Sequence, residues 1–263
     1  MKYLKYFENN KNHYYYFYNR LTTLKKLKLP KEIYGNLNCA KNKIKHLKYC
    51  SEYIECNFIC YGNLLTSLEF GPKYVGGNFE CYNNNLTSLE FCPKYVGGNF
   101  ECSYNKLTSL KYCPKNINGN FYCQDNKLTT LEFCPETVGK FSCSSNKLTS
   151  LEFCPKIVNG DFWCRNNNLT SLDFLPEYIG GSSDFDNNNW TNPIPYELIK
   201  KYNILIKDLY TKEQKEKFGV YKYQKEYLTE TPEKYKDLEP IGYNDQIKEE
   251  FDWLFNAIDM GLM

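Results

Sequence analysis

Residues 85–105 read NLTSLEFCPKYVGGNFECSYN, and most of the chain between residues 21 and 190 consists of copies of this stretch. One asparagine, which usually follows a cysteine by three residues, marks each copy. It recurs at eight positions: Asn42, Asn63, Asn84, Asn105, Asn126, Asn146, Asn167 and Asn188. Successive asparagines are 21 residues apart, except for one step of 20 residues between Asn126 and Asn146. A fixed period of this length predicts a solenoid in which every copy forms one coil.

The F-x-C segment of each copy predicts a short strand. Alternation places Phe79 and Cys81 inside the coil and Glu80 and Tyr82 outside. Stacked coils then form a parallel sheet with strands ~4.8 Å apart. The marker asparagine follows the strand, where its side-chain amide can satisfy backbone groups that the turn leaves unpaired. We therefore interpret the eight asparagines as a structural ladder.

The return segment of each copy leaves no room for an α-helix. Proline and paired glycines interrupt it, as in residues 91–98, which read FCPKYVGG, and such residues break helices. We expect this side to be extended or 3₁₀-helical. The short copy has lost its residue here, since residues 138–141 read VGKF where residues 96–100 read VGGNF.

The repeated columns are L-x-x-L, an aromatic residue, Cys-Pro and F-x-C-x-x-N-x-L. The last unit is similar to the L-x-L-x-x-N-x-L signature of leucine-rich repeats, with Phe and Cys replacing two leucines. The short period and the proline resemble the class found in bacterial effectors, and the cysteine-rich variant resembles repeats of phages and giant DNA viruses. The resemblance implies an α/β repeat fold: a leucine-rich-repeat solenoid with short parallel strands, a non-helical convex side and a concave face that binds proteins.

The period divides the chain into three segments. Residues 1–20 precede the repeats and are interpreted as an aromatic N-terminal cap, residues 21–192 as about eight coils, and residues 193–263 as a helical cap and extension. Apolar residues at helical spacing predict one helix over residues 193–210 and another over residues 244–260. The second helix either packs on the chain or is offered to a partner.

The thirteen cysteines follow the repeat and not a disulfide or metal pattern. They occupy columns where a small buried apolar residue fits, and the chain has no C-x-x-C motif and only two histidines. We therefore expect no metal and no cofactor. Free cysteines, the absence of a signal-peptide pattern and the absence of a long apolar run favour a cytoplasmic protein without a membrane segment. The abundance of Lys, Asn, Tyr and Ile is typical of an A/T-rich genome, with a viral origin as one source.

The outward positions of the strands vary, whereas the core columns repeat. Aromatic residues and arginine contribute most to interface energies. We expect two contact clusters with acidic residues between them: Tyr61, Tyr82, Tyr104 and Tyr122; Trp163 and Arg165; and Glu80 and Glu101. The sequence thus predicts a non-enzymatic, monomeric module or scaffold that binds a protein partner.

No nucleotide-binding or nucleophile-elbow motif supports an enzyme. Bacterial effectors with such repeats often carry a ubiquitin-ligase domain with a catalytic cysteine after the array, but no cysteine follows Cys164. An alternative function is electrostatic binding of nucleic acid or another polyanion, since residues 1–50 carry twelve Lys/Arg against two acids. Such binding would weaken steeply with salt.

Overall fold

The computed structural model describes residues 4–8, 11–16, 20–204 and 209–218. By contacts the chain forms two compact units, Met1–Gln214 and Lys215–Met263, and the first contains the whole repeat array. The helix predicted over residues 244–260 lies outside the described residues.

Ten strands form one sheet, here called the long sheet. In spatial order they are β1 (Leu4–Glu8), β2 (Lys11–Tyr15), β4 (Leu37–Asn38), β6 (Phe58–Ile59), β8 (Phe79–Glu80), β10 (Phe100–Glu101), β11 (Phe121–Tyr122), β13 (Phe141–Ser142), β15 (Phe162–Trp163) and β17 (Ser183–Asp184). From β2 onward all pairs are parallel, and β1 pairs antiparallel with β2. Each coil contributes one strand, so the predicted parallel solenoid is confirmed.

The core is a set of columns that run from coil to coil. Phenylalanines from seven coils are fully buried, with neighbouring ring centroids 5.3–5.6 Å apart; the rings are stacked except for the last pair, which is edge-to-face. Leucines of the L-x-x-L motif and the strand cysteines are buried beside them. Each coil alone would expose these apolar side chains, so the stacking of neighbours supplies the hydrophobic stabilisation.

The eight marker asparagines form an inner ladder of hydrogen bonds between coils. Asn105 is typical: its Oδ1 accepts the Leu86 N–H of the preceding coil at 2.9 Å. Its Nδ2 donates to the carbonyl oxygens of Cys81 and Cys102, both at 3.1 Å. One side chain therefore pairs buried backbone groups of two coils, groups that would otherwise lose their hydrogen bonds to water.

A second set of short strands lies in the return segments. β3 (Glu32–Ile33), β5 (Tyr53–Ile54), β7 (Tyr74–Val75) and β9 (Tyr95–Val96) form one sheet, and β12 (Thr137–Val138), β14 (Ile157–Val158) and β16 (Tyr178–Ile179) form another. An isolated bridge between Val96 and Ile117 extends the first sheet by one coil. Extended return segments agree with the predicted non-helical side.

The gap between these two return sheets coincides with the 20-residue step. Gly139 occupies the position of the second glycine of a pair. A Cβ at Gly139 would meet Asn120 Oδ1 at 2.5 Å, just as a Cβ at the second position of the preceding coil, Gly119, would meet Asn99 Oδ1 at 2.4 Å. The missing residue is therefore the first glycine, directly after Val138. The long sheet continues past this point, with Phe121 paired to Phe141.

An outer ladder of asparagines precedes the strands of the long sheet. The Oδ1 atoms of Asn36, Asn57, Asn78, Asn99 and Asn120 each accept a backbone N–H from the next coil at 2.7–2.9 Å. The asparagines stop at Lys140, and Asp161 resumes the pattern by accepting the Ser182 N–H at 3.1 Å. These bonds are only partly buried, whereas most of those of the inner ladder are buried, with Asn126 as the main exception.

Two columns adopt the left-handed backbone conformation. One comes just before the inner asparagines, at Lys41, Gly62, Asn83, Tyr104, Asp125, Ser145, Asn166 and Asn187. The other consists of seven aromatics, at Tyr49, Phe70, Phe91, Tyr112, Phe133, Phe153 and Phe174, with φ between 64° and 77°, and of Lys28 one period earlier, with a φ of 47°. A non-glycine residue in this conformation costs about 1 kcal/mol or more. The second column therefore carries backbone strain in every coil.

Both ends of the array are covered by other elements. The β1–β2 hairpin extends the long sheet at one end, where His13 Nδ1 accepts the Asn36 N–H at 3.2 Å. At the other end Trp190 Nε1 donates to the Leu209 carbonyl at 2.9 Å, and Ile204 forms a bridge with Ser183. These contacts fit the capping that an open solenoid end requires.

The helical elements of the described residues are short: η1 (Lys25–Leu27), α1 (Tyr196–Lys201) and α2 (Lys212–Phe218). The helix predicted over residues 193–210 is thus shorter than expected. Asn203 has a φ of 46°, which ends the helix, and Ile204 then adds to the edge of the long sheet. Pairing with the sheet replaces further helical turns.

Candidate protein-binding face

The outward side chains of the long sheet and of the residues that follow its strands form one surface, here called the sheet face. Six residues singled out from the sequence lie on it in a half-buried state: Tyr61, Glu80, Tyr82, Glu101, Tyr122 and Trp163. Arg165 is exposed on the same face. Tyr104 is different, because it occupies a left-handed turn position and is 55% exposed.

Tyr61 and Tyr82 form the aromatic pair of this face. Their ring centroids are 4.3 Å apart and the rings are inclined by 10°. Lys41 places its Nζ 5.8 Å from the Tyr61 centroid. Burial, and then the neighbouring Tyr61, raise the pKa of Tyr82. The pair is a preformed, flat apolar surface with polar hydroxyl groups.

Glu80 and Glu101 occupy matching positions on adjacent strands. Burial raises the pKa of both carboxyl groups, and the charge of Glu80 adds to the effect on Glu101, whose pKa is raised to about 7. Two half-buried carboxylates at neighbouring positions repel each other and are poorly solvated. A cationic group from a partner would relieve both effects.

Lys140 contributes to the sheet face although the sequence analysis did not select it. Its Nζ lies 2.7 Å from Asp161 Oδ2 and 5.6 Å from the Trp163 ring centroid. Burial alone would raise the pKa of Asp161, but the hydrogen bonds and charge of Lys140 and the hydrogen bonds from Ser182 outweigh it, so that this pKa is lowered. The sequence signal that could have identified it is a lysine that follows five asparagines in the same column of the repeat.

Arg165 pairs with Asp184, with Nη1 and Oδ2 3.7 Å apart. Asp184 is buried, whereas the arginine is exposed. Trp163 and Arg165 were expected to form one cluster, yet each has its own charged neighbour. The stacked pair of Tyr61 and Tyr82 likewise has no ring contact with Tyr104 or Tyr122 in the described part of the chain.

Two polar atoms between these groups have no hydrogen-bond partner among the described residues. They are Gln124 Oε1 and Ser144 Oγ, both buried, from adjacent coils. Most buried polar groups in folded proteins are paired, so unpaired ones need an explanation. They follow the strand residues Tyr122 and Ser142 by two positions, and their burial keeps them from contacting a partner unless the surface rearranges.

The strand cysteines lie in the core and not on this surface. Burial raises the pKa of those from Cys39 to Cys143, for instance to about 12 for Cys39, which keeps these thiols protonated and unreactive. All thirteen cysteines are free thiols. Among the described residues, no group of three or more His, Cys, Asp or Glu could hold a metal ion, and no helix has the length and apolarity to span a membrane.

Neither a protein-family model nor a curated protein matches the chain. A solved structure, YopM from Yersinia enterocolitica WA-314, is similar with a TM-score of 0.50 and 20% sequence identity. The match covers 64% of this chain and 41% of the YopM chain. Together with the parallel coils of about 21 residues, this similarity shows that the chain has the leucine-rich-repeat fold.

Proposed function

We propose that the chain is a non-enzymatic scaffold that binds a protein partner through the sheet face, which in a solenoid of this type is concave. The observation that carries the proposal is the composition of this face. Stacked tyrosines, two neighbouring half-buried carboxylates and a lysine over a tryptophan lie on this one face.

Rigidity supports the proposal. The strands below the face are held by a continuous ladder of backbone pairs, and the buried inner asparagines fix the turns that follow. A partner that binds here loses its own conformational entropy, but no entropy is lost in ordering the binding face, because that face is already ordered. Preorganised surfaces gain affinity for this reason.

The distribution of chemistry also supports a protein partner. Half-buried tyrosines and tryptophan offer large contact areas at a low entropic cost and are enriched among residues that dominate binding energies. Glu80 and Glu101 favour a partner with a cationic group and disfavour a polyanion at this position. We place the binding in the cytoplasm, since thirteen free thiols, eight of them buried, suit a reducing compartment.

Capture from a cell lysate, followed by titration of the purified partner, tests the proposal. The test variant is the triple change Tyr82→Ala, Tyr122→Ala, Trp163→Ala. The matched control is Tyr53→Ala, Tyr74→Ala, Tyr95→Ala, which removes a stacked row of tyrosines from the return side. We expect the test variant to weaken binding by about 100-fold or more and the control to retain it.

Salt separates this function from polyanion binding. The proposed interface should lose little affinity between about 0.1 and 0.5 M NaCl, whereas phosphate contacts would lose several orders of magnitude. A partner that is insensitive to the test variant and released by salt would contradict the proposal and favour the basic N-terminal end. There Lys25 and Lys48 approach the Tyr49 ring at 6.0 and 5.7 Å.

A further inference from the structure

Seven aromatic side chains form a row along the turns that lead into the return segments, here called the aromatic ridge. One coil contributes each member: Tyr49, Phe70, Phe91, Tyr112, Phe133, Phe153 and Phe174. They are 46% to 62% exposed. Large exposed apolar patches on folded domains commonly mark interaction sites.

The backbone makes this exposure unusual. In six of the seven coils a hydrogen bond closes a turn around the aromatic residue. The residue that follows the aromatic donates its N–H to the carbonyl of the leucine that precedes the aromatic by two positions, at 2.8–2.9 Å, as Cys92 does to Leu89. With a positive φ at the aromatic, this is the geometry of a type II turn, which favours Gly or Asn at that position. The other left-handed column uses Gly, Asn, Asp or Ser at six of its eight positions. The ridge keeps an aromatic in all seven turns, although neither backbone conformation nor burial favours it.

We propose that the aromatic ridge is the interface through which two copies of this chain associate side by side, in parallel, about a two-fold axis along the ridge. A monomer was predicted from the sequence, and association through the ridge departs from that prediction. It concerns a different surface from the sheet face and does not depend on the proposed function.

Area and spacing favour a second copy as the occupant. A fully buried aromatic side chain covers ~150–250 Å², so seven half-exposed ones offer about 700 Å². A standard interface buries ~800 Å² per partner. Two identical ridges also share one coil spacing, so every aromatic of one copy can meet an aromatic of the other without accumulated mismatch.

Charge favours the parallel arrangement. The residue before the aromatic is acidic in five coils, at Glu69, Glu90, Glu132, Glu152 and Asp173, and all five are exposed. The third residue after it is an exposed lysine in four coils, at Lys73, Lys94, Lys115 and Lys156. The other two coils have Lys48 and Lys111 before the aromatic, and the other three have Glu52, Glu136 and Glu177 after it. With the coils of two copies in register, a two-fold axis along the ridge brings opposite charges together in four of the seven coils. An antiparallel arrangement does so in only two.

Sedimentation equilibrium of the full chain over a range of concentrations tests the association. We expect a mass twice the 31.1 kDa of one chain at concentrations of about 50 µM. The triple change Phe91→Asn, Phe133→Asn, Phe153→Asn should give a monomer, with a dissociation constant raised at least 100-fold. Asparagine tolerates the left-handed turn, and circular dichroism checks that the variant remains folded. The sheet-face triple change Tyr82→Ala, Tyr122→Ala, Trp163→Ala should remain dimeric.

Charge exchange tests whether the flanking charges meet across the interface. One variant carries Glu90→Lys, Glu132→Lys and Glu152→Lys, and a second carries Lys94→Glu, Lys115→Glu and Lys156→Glu. Each alone should be monomeric, because both flanks then carry mostly the same sign, and an equimolar mixture should form a heterodimer. A wild type that stays monomeric, as it would if another part of its own chain covered the ridge, would overturn the proposal. So would a dimer that survives the asparagine changes, or a mixture that fails to pair.

Discussion

On the sheet side of the coils, backbone pairing runs through ten strands without a break, whereas on the return side it stops at the 20-residue coil. The sheet side contains the inner ladder, with an asparagine in all eight coils. The outer ladder, where the return segment meets the strand, tolerates Lys140 and Asp161 in place of asparagine. An inner asparagine makes more hydrogen bonds than an outer one and buries more of them, and we infer that both properties restrict change on the sheet side.

The largest change in the free energy of unfolding is expected from Asn105→Ala, which tests the comparison of the inner and outer ladders. The change leaves the Leu86 N–H and the carbonyls of Cys81 and Cys102 without their buried partner. Unfolding in urea, followed by circular dichroism, should show a loss of about 3 kcal/mol. Asn99→Ala is the control: Asn99 Oδ1 accepts one partly buried N–H, from Asn120, and its removal should cost about 1 kcal/mol. Equal losses would contradict the role given to burial.

A second effect arises from the carboxylate on the sheet face. The folded protein raises the pKa of Glu101 to about 7 from its ordinary value of 4.5. Between these values the folded state binds more protons than the unfolded state, so stability falls as pH rises through this window. Glu101→Gln removes the penalty. Because the group is half-exposed and screened by water, the variant should be more stable by only about 1 kcal/mol at pH 8 and equal to wild type at pH 4.

The control for this prediction is Glu132→Gln, which removes the same charge from an exposed position on the return side. Urea midpoints at pH 4, 6 and 8 give the measurement. A gain from Glu101→Gln that is the same at every pH would show that the carboxyl charge is not its cause.

A third effect concerns the strained turns of the return side. Phe91 has a φ of 66°, so Phe91→Gly should be more stable than Phe91→Ala by about 1 kcal/mol. Both variants lack the ring, and their difference isolates the backbone. Thermal unfolding of the two proteins is the measurement, and a more stable alanine variant would show that the turn is not strained.

The smallest effect is expected from one inserted glycine between Val138 and Gly139. The insertion restores the 21-residue period on the return side and should change stability by no more than about 0.5 kcal/mol, because loops tolerate length changes. The same insertion between Glu101 and Cys102 provides the contrast. It reverses the inward and outward positions after that strand residue, and unfolding of that variant under native conditions is the expected result.

Much of this fold could be predicted from the sequence because the period of Asn42 to Asn188 requires one coil per copy. The inward and outward positions of Phe79 and Glu80 followed from alternation alone. The return strands were not predicted, since two residues such as Tyr95–Val96 before paired glycines resemble a bend. Their pairing depends on the neighbouring coil, which no local pattern specifies.

The candidate face was less predictable for a related reason. Lys140 and Trp163 are 23 residues apart, and only the stacked coils bring the ammonium group over the ring. The left-handed conformation of Phe91 could not be predicted, because that conformation is normally associated with Gly or Asn. Repeated columns identify which residues are equivalent, but not what each column touches.

The even spacing of the strands makes the sheet face a molecular ruler. Neighbouring strands are ~4.8 Å apart, and Tyr82 and Trp163 lie four coils apart. A partner that contacts both must therefore span about 19 Å, which an extended segment of about six residues achieves at ~3.3 Å per residue. The loss of one residue after Val138 does not alter this measure, because the shortened coil keeps its strand in register. Binding segments can thus be selected by length before any side chain is considered.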